Sequence, residues 1–302
     1  MQVPQQIKDC LLKLLDKVVA VCDEYGLRYY LAGGSVLGAI RHKGFIPWDD
    51  DIDIYLFRED YEKIQKLPAS VWGDEFRLAF YTNTPNYTYD FIKIELTNTS
   101  VIERYHPNYH GGVFLDIFPL DFVPNDLEKR QKQLSSVKPL TKIYVDAFIK
   151  NDSDCSSLWE LIALKWLRFR NRDKHVLYQW ESLVGIKDVV DLTDVVDYHS
   201  PWMHRPMPFE YISEGVDVEF EGKSYRVPSN YDAYLRHVYG NYMQLPPEDK
   251  RVGHSFDFVN YDRRLSLQEA DDVFKAMHQK YAYKFSVKRE MKNVIRVIKN
   301  IF

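Results

Sequence analysis

The segment "LAGGSVLGAIRHKGFIPWDDDIDIYLF", Leu31 to Phe57, constrains this chain more than any other. An apolar run, "LRYYLA", meets Gly33-Gly34-Ser35, and the helix-periodic "SVLGAIRH" follows. That is the order of a strand, a tight turn and a short helix with Ser35 at its N-cap. Pro47 stops the next loop, and "DIDIYLF" then alternates polar with apolar residues. Side chains alternate across a strand, so Asp51 and Asp53 share one face while Ile52, Ile54 and Leu56 take the other. Asp49 joins the polar face if the strand starts early. Helical periodicity returns in "REDYEKIQKL", completing strand, turn, helix, strand, helix.

Two neighbouring carboxylates repel each other and are costly to bury unpaired, so a cation is their natural compensation. Oxygen ligands without a His or Cys set point to Mg²⁺ or Mn²⁺. The glycines let a ligand approach the backbone, and the first turn of the helix offers N–H groups suited to phosphate. Gly33, Gly34 and Ser35 are therefore the phosphate candidates. A metal site beside a phosphate cradle suits a nucleotide whose phosphorus is attacked by an oxygen nucleophile.

Ile7, Leu11, Leu14, Val18 and Val21 mark one face of a first helix that ends near Gly26. Further strands are expected at "FRLAFYT", "FIKIELTN" and "GGVFLDIFPL", the last closed by Pro119. This order predicts an α/β (α+β) fold, a mixed sheet with flanking helices. From about Asn125 two helical stretches follow, joined at "KNDSDCS". "VEFEGKSYRVP" then reads as a hairpin turning at Glu221-Gly222, followed by a helix capped near Ser229. The chain thus divides into a catalytic core over 1–124, a helical extension over 125–190 and a C-terminal part over 191–302 that completes the site.

With 40 Lys and Arg against 44 Asp and Glu, the formal charge of −4 gives no global basic field, so no nucleic-acid partner is expected. Cys10, Cys22 and Cys155 have no C-x-x-C spacing and fit a reduced, cytoplasmic protein. The apolar N-terminal stretch is broken by Lys13, Asp16 and Lys17, and no membrane-spanning segment is expected. "KFSVKREMKNVIRVIKNIF", residues 284–302, sets Val287, Met291, Val294, Ile295, Ile298 and Phe302 at helical steps and carries six Lys or Arg against one Glu. Such a helix either lies on the inner face of an anionic membrane or docks its apolar stripe on the domain.

The glycine turn followed by Asp-Ile-Asp on the next strand resembles the nucleotidyltransferase superfamily. More narrowly, "AGGSVLGAIRHKGFIPWDDDIDI" resembles the LicD family, which includes bacterial phosphocholine transferases and is related to fukutin and fukutin-related protein. The likeness continues in "VFLDIFPLD" and "FEGKSYRVPSNYDAYLRHVYGNYMQLPP". It implies a third carboxylate on a neighbouring strand, at Asp116, completing a metal set of Asp51, Asp53 and Asp116, with Asp116 orienting or deprotonating the acceptor hydroxyl. It also implies a CDP-alcohol donor, CDP-choline favoured. The implied acceptor is a sugar hydroxyl on a cell-surface glycan, such as lipopolysaccharide or teichoic acid, or on its lipid-linked precursor. A nucleotidyltransferase releasing pyrophosphate is the enzymatic alternative. A non-catalytic scaffold would be expected to lack one of the carboxylates.

Arg41, His42 and Lys43 either reach the nucleotide or form a solvated helix end. Lys93 neutralises phosphate or lies at the surface, since the alternation does not fix its face. Arg251 and His254 of "KRVGHS" resemble an element that closes the site, with an ordinary charged loop as the other reading. A quaternary ammonium calls for aromatic faces, and Trp48, Tyr87, Tyr89, Tyr105 and Tyr109 are near enough in sequence to supply them. His106 with His110, and His199 with His204, lack the context of a zinc site.

Overall fold

Helix α1 (Gln5–Tyr25) buries Ile7, Leu11, Leu14, Val18 and Val21, the face its periodicity predicts, and ends where Gly26 turns left-handed at φ 64°. The computed structural model describes residues 3–103, 109–150, 152–171, 177, 192–196, 206–251, 253, 256–278 and 286. After α1 come β1 (Tyr29–Leu31), α2 (Gly33–His42), β2 (Asp53–Phe57) and α3 (Arg58–Gln65), in the expected order. Two boundaries differ from the expectation. Helix α2 begins at Gly33 with Ala32 as its N-cap, so Ser35 lies inside the helix and does not cap it. Instead the Ser35 hydroxyl oxygen accepts the backbone N–H of Asp53 at 3.0 Å, tying the helix to the acidic strand. Regular β2 starts at Asp53, two residues later than expected, although Ile52 C=O still accepts the Asp116 N–H at 3.1 Å.

Strands β3 (Phe76–Ala79), β4 (Ile92–Leu96), β5 (Ser100–Ile102) and β6 (Phe114–Pro124) follow. The sheet runs β1-β2-β6-β4-β3 and is mixed: β2 and β6 are parallel, and the other neighbours are antiparallel. Its register aligns Asp53 with Asp116, and Asp116 with Lys93, so these three side chains form one row across β2, β6 and β4. The opposite face carries Ile54, Ile117, Ile92 and Ile94, all fully buried in the main core with α1.

Pro119 does not close β6, which continues to Pro124. The Asp116 N–H points to β2, so by alternation the nitrogen of Pro119 points to the other edge. There β4 pairs no further than Ile117, and β7 (Leu192–Val196) begins only at Asp121. The proline therefore costs the ladder no donor. Strand β7 also pairs with β8 (Met207–Pro208).

Helices α4 (Leu127–Tyr144) and α5 (Leu158–Arg170) form the described part of the helical extension, each started by a side-chain cap, Asp126 and Ser157. The hairpin β9 (Gly215–Phe220) and β10 (Lys223–Pro228) turns with positive φ at both Glu221 and Gly222, the type I′ geometry that matches strand twist. Helix α6 (Tyr231–Tyr239) starts near the expected position, with Asn230 as its N-cap and no side-chain capping bond. Strand β11 (Phe258–Asn260) pairs with β5, and α7 (Leu267–His278) follows. No helix of the described residues is long and apolar enough to cross a membrane. The basic segment 284–302 lies, apart from Ser286, outside the described residues.

A buried bidentate pair locks the β2–α3 junction to β6. The Arg58 Nε and Nη2 donate to the two carboxylate oxygens of Asp121, each at 2.7 Å. Asp121→Asn removes the counter-charge of a buried guanidinium and is expected to cost about 3 kcal/mol. Urea unfolding should show a lower midpoint at unchanged slope; an unchanged midpoint would mean that the pair adds nothing to stability.

Candidate active site

The glycine turn and the acidic strand open on one cleft of about 830 Å³, a size suited to a small-molecule ligand. Gly33, Gly34 and Arg41 from α2 line it, as do Trp48, Asp49, Asp51 and Asp53, and the segment after α6 supplies Tyr239, Tyr242 and Pro246. Gly34 is required here by close approach: a Cβ at this position would lie 2.6 Å from a carboxylate oxygen of Asp49. The first turn of α2 offers fewer donors than expected. The Gly33 N–H is given to the buried Tyr234 hydroxyl at 2.9 Å, while those of Ser35 and Val36 go to Ala32 C=O. Among the described residues this leaves the Gly34 N–H as the amide of that turn with no protein acceptor.

Gly34→Ala is expected to push Asp49 aside and lower donor affinity by roughly tenfold, while stability changes by less than about 1 kcal/mol. Calorimetry with a cytidine nucleotide, alongside thermal melting, checks this; unchanged affinity would remove Gly34 from the site.

Arg41 donates from Nη1 to Tyr242 C=O at 2.6 Å and from Nε to the His42 Nε2 at 2.9 Å, which joins α2 to the opposite wall. Burial and the adjacent Arg41 charge lower the His42 pKa, so the imidazole is neutral and accepts this bond. Tyr242 is held in turn by Asp232, which accepts its hydroxyl at 2.8 Å. Burial raises the Tyr239 phenol well above its ordinary range, and the nearby Asp53, Asp49 and Asp51 raise it further. Those three carboxylates make the cleft wall strongly anionic.

Asp116 stands one strand behind the cleft wall. Its side chain keeps 14% exposure and accepts from the Lys93 ammonium at 3.0 Å. Burial pushes its carboxyl up to about 7; Lys93 opposes that rise, and Glu103 and then Asp51 add to it. Lys93 faces inward, with its ammonium 3.7 Å from Glu103 and 4.2 Å from the centroid of the Tyr89 ring. Its charge is therefore committed to Asp116 and Glu103, and a surface position is excluded. Arg251 sits beside the cleft, donating to Pro246 C=O at 2.9 Å with its guanidinium 5.5 Å from the centroid of the Trp48 ring. A Cβ on Gly253 would meet Trp48 C=O at 2.3 Å, so Gly253 lies against the acidic loop. His254 and Tyr105 lie outside the described residues.

Of the described aromatic candidates, Trp48 lines the cleft. Tyr87, Tyr89 and Tyr109 are buried together, with the hydroxyl of Tyr89 on Glu103 and that of Tyr109 on Glu95. Sequence reasoning gave no role to Glu103, Tyr239 or Tyr242. The two tyrosines lie in "VYGNYMQLPP", a stretch already matched to the family, whereas Glu103 carries no sequence signal.

The family described as LicD/FKTN/FKRP, nucleotidyltransferase domain, matches residues 26–144, which hold the glycine turn, the acidic strand, Lys93 and Asp116. The chain is 32% identical over 259 residues to the lipopolysaccharide cholinephosphotransferase LicD of Haemophilus influenzae, covering 80% of this chain and 92% of that protein. The chain belongs to the LicD family. Within the family it is also similar to the ribitol 5-phosphate transferase FKRP. The human protein is 44% identical over 68 residues, 21% of this chain and 14% of its own length. The mouse protein is 36% identical over 94 residues, 24% and 19% respectively.

The LicD-family cleft has oxygen-only donors, which suit a hard cation. Among the described residues no group of three or more His, Cys, Asp or Glu side chains is placed to hold a metal ion.

Proposed function

We propose that this chain is a phosphotransferase moving phosphocholine, or a related phospho-alcohol, from a CDP-activated donor to a sugar hydroxyl of a cell-surface glycan or its lipid-linked precursor. The observation that carries the reading is the meeting of Gly34, Arg41, Asp51 and Asp53 in one cleft. Two relatives support it by name, one a lipopolysaccharide cholinephosphotransferase and the other a ribitol 5-phosphate transferase.

In this reading the Gly34 N–H and the Arg41 guanidinium hold the donor's diphosphate. Asp51 and Asp53 would hold Mg²⁺ or Mn²⁺, which when bound offsets the charge of that diphosphate. Asp116, whose ionised form Lys93 favours against burial, orients the acceptor hydroxyl and takes its proton. The hydroxyl oxygen forms a bond to the alcohol-side phosphorus, the bond from that phosphorus to the bridging oxygen breaks, and CMP leaves with the electron pair.

Incubation with CDP-choline, CDP-ribitol and CDP-glycerol, each with Mg²⁺ and a glycan acceptor, tests the donor class. One of them is expected to release CMP in an acceptor-dependent way, and chelation with EDTA should stop that release. Pyrophosphate release from CTP, with no CMP from any CDP-alcohol, would favour nucleotidyl transfer.

A further inference from the structure

Helix α5 is apolar on two sides. Its inner side is already committed: Leu164 is buried, Leu167 packs against the cluster of Val137, Tyr144 and Phe148, and Arg168 donates to Ala147 C=O and Lys150 C=O. Its outer side carries Trp159, Ile162, Trp166 and Phe169, which are 76%, 48%, 57% and 63% exposed. Steps of three, four and three residues set them on one helix face. A surface helix ordinarily turns charged and polar residues to that side.

The surroundings of this face are cationic. Arg170 flanks it with its guanidinium 4.9 Å from the centroid of the Trp166 ring, and Lys165 lies at its edge, half-exposed and ion-paired with Asp152 at 2.6 Å. Residues 127–170 hold nine Lys and Arg against five Asp and Glu, in a chain that is net acidic. Tryptophan and phenylalanine favour the boundary between headgroups and acyl chains, and basic side chains beside them meet lipid phosphate. A second copy fits less well, because a two-fold interface would set this cationic rim against itself.

We propose that the outer face of α5 docks the protein on an anionic lipid bilayer. The inference rests on the helix alone and does not depend on the reaction proposed above. The helix lies in the plane of the surface, with Trp159, Ile162, Trp166 and Phe169 sunk into the headgroup boundary and Lys165 and Arg170 at the phosphates.

Sedimentation of the full chain with phosphatidylcholine vesicles, with and without phosphatidylglycerol, at low and high salt, tests the docking. Binding is expected with phosphatidylglycerol at low salt. Trp159→Ser with Trp166→Ser should weaken it by roughly tenfold or more while thermal melting stays near wild type. Lys165→Glu with Arg170→Glu, which leaves the aromatic face intact, should remove the salt-sensitive part of the binding. Three outcomes overturn the proposal. The wild-type protein stays in the supernatant with phosphatidylglycerol vesicles; both double variants bind as wild type does; or the wild type is a dimer that the tryptophan substitutions dissociate, which assigns the face to a second copy.

Discussion

Asp53→Asn is expected to lower turnover by about 10²–10⁴-fold while the fold stays intact. Two backbone bonds tie this position into the fold: Asp53 N–H donates to the Ser35 hydroxyl oxygen, and Asp53 C=O accepts the Ala32 N–H at 2.9 Å. Neither bond involves the side chain, which opens on the cleft beside Asp51. Replacing one carboxylate oxygen by an amide removes a full negative charge from the wall at almost no change in volume. That amounts to roughly 3–5 kcal/mol of transition-state stabilisation. Steady-state kinetics paired with thermal melting measures both halves of the expectation. Near-normal turnover in the variant would contradict the role of Asp53.

Lys93→Met is expected to disable the site by a different route. Lys93 is the cation that opposes protonation of Asp116 in its buried setting, and methionine keeps the volume while removing that charge. The Asp116 carboxyl is raised to about 7 in the fold, so its contribution to stability is full below the ordinary carboxylate range and is lost as pH rises through about 7. In wild type the acid limb of kcat/KM, which reports the free enzyme, should lie near 7, with activity rising above it. Without Lys93 that limb moves up by roughly 1–3 pH units, so activity near neutral pH falls by about fivefold or more and partly returns in alkali. Melting of the variant should also decline more steeply with rising pH, because Asp116 then ionises without its partner. A pH profile parallel to wild type would mean that Lys93 does not set the charge state of Asp116.

The local elements around the cleft were legible because each rests on short-range chemistry. The α1 face and the Glu221-Gly222 hairpin return in the fold as read, while the two glycines open helix α2 and the strand of "DIDIYLF" becomes regular only at Asp53. What escaped the reading depends on partners far along the chain. Ser35 resembles a cap until its hydroxyl is claimed by Asp53. Pro119 resembles a strand end until its nitrogen is seen to face a gap between β4 and β7. Lys93 resembles a surface lysine until register sets it across from Asp116. Glu103 enters the site only through that same lysine, so no spacing in the sequence could announce it. Tyr239 and Tyr242 become cleft residues because α6 leads the chain across the mouth of the glycine turn.

Mass analysis of the acceptor glycan after reaction with the CDP-alcohol that supports turnover tests the central claim most directly. The account predicts that the glycan gains one phospho-alcohol for each CMP released, and that Asp53→Asn abolishes both in parallel. A glycan that gains a nucleoside monophosphate, or CMP released with no change in the glycan, would contradict it.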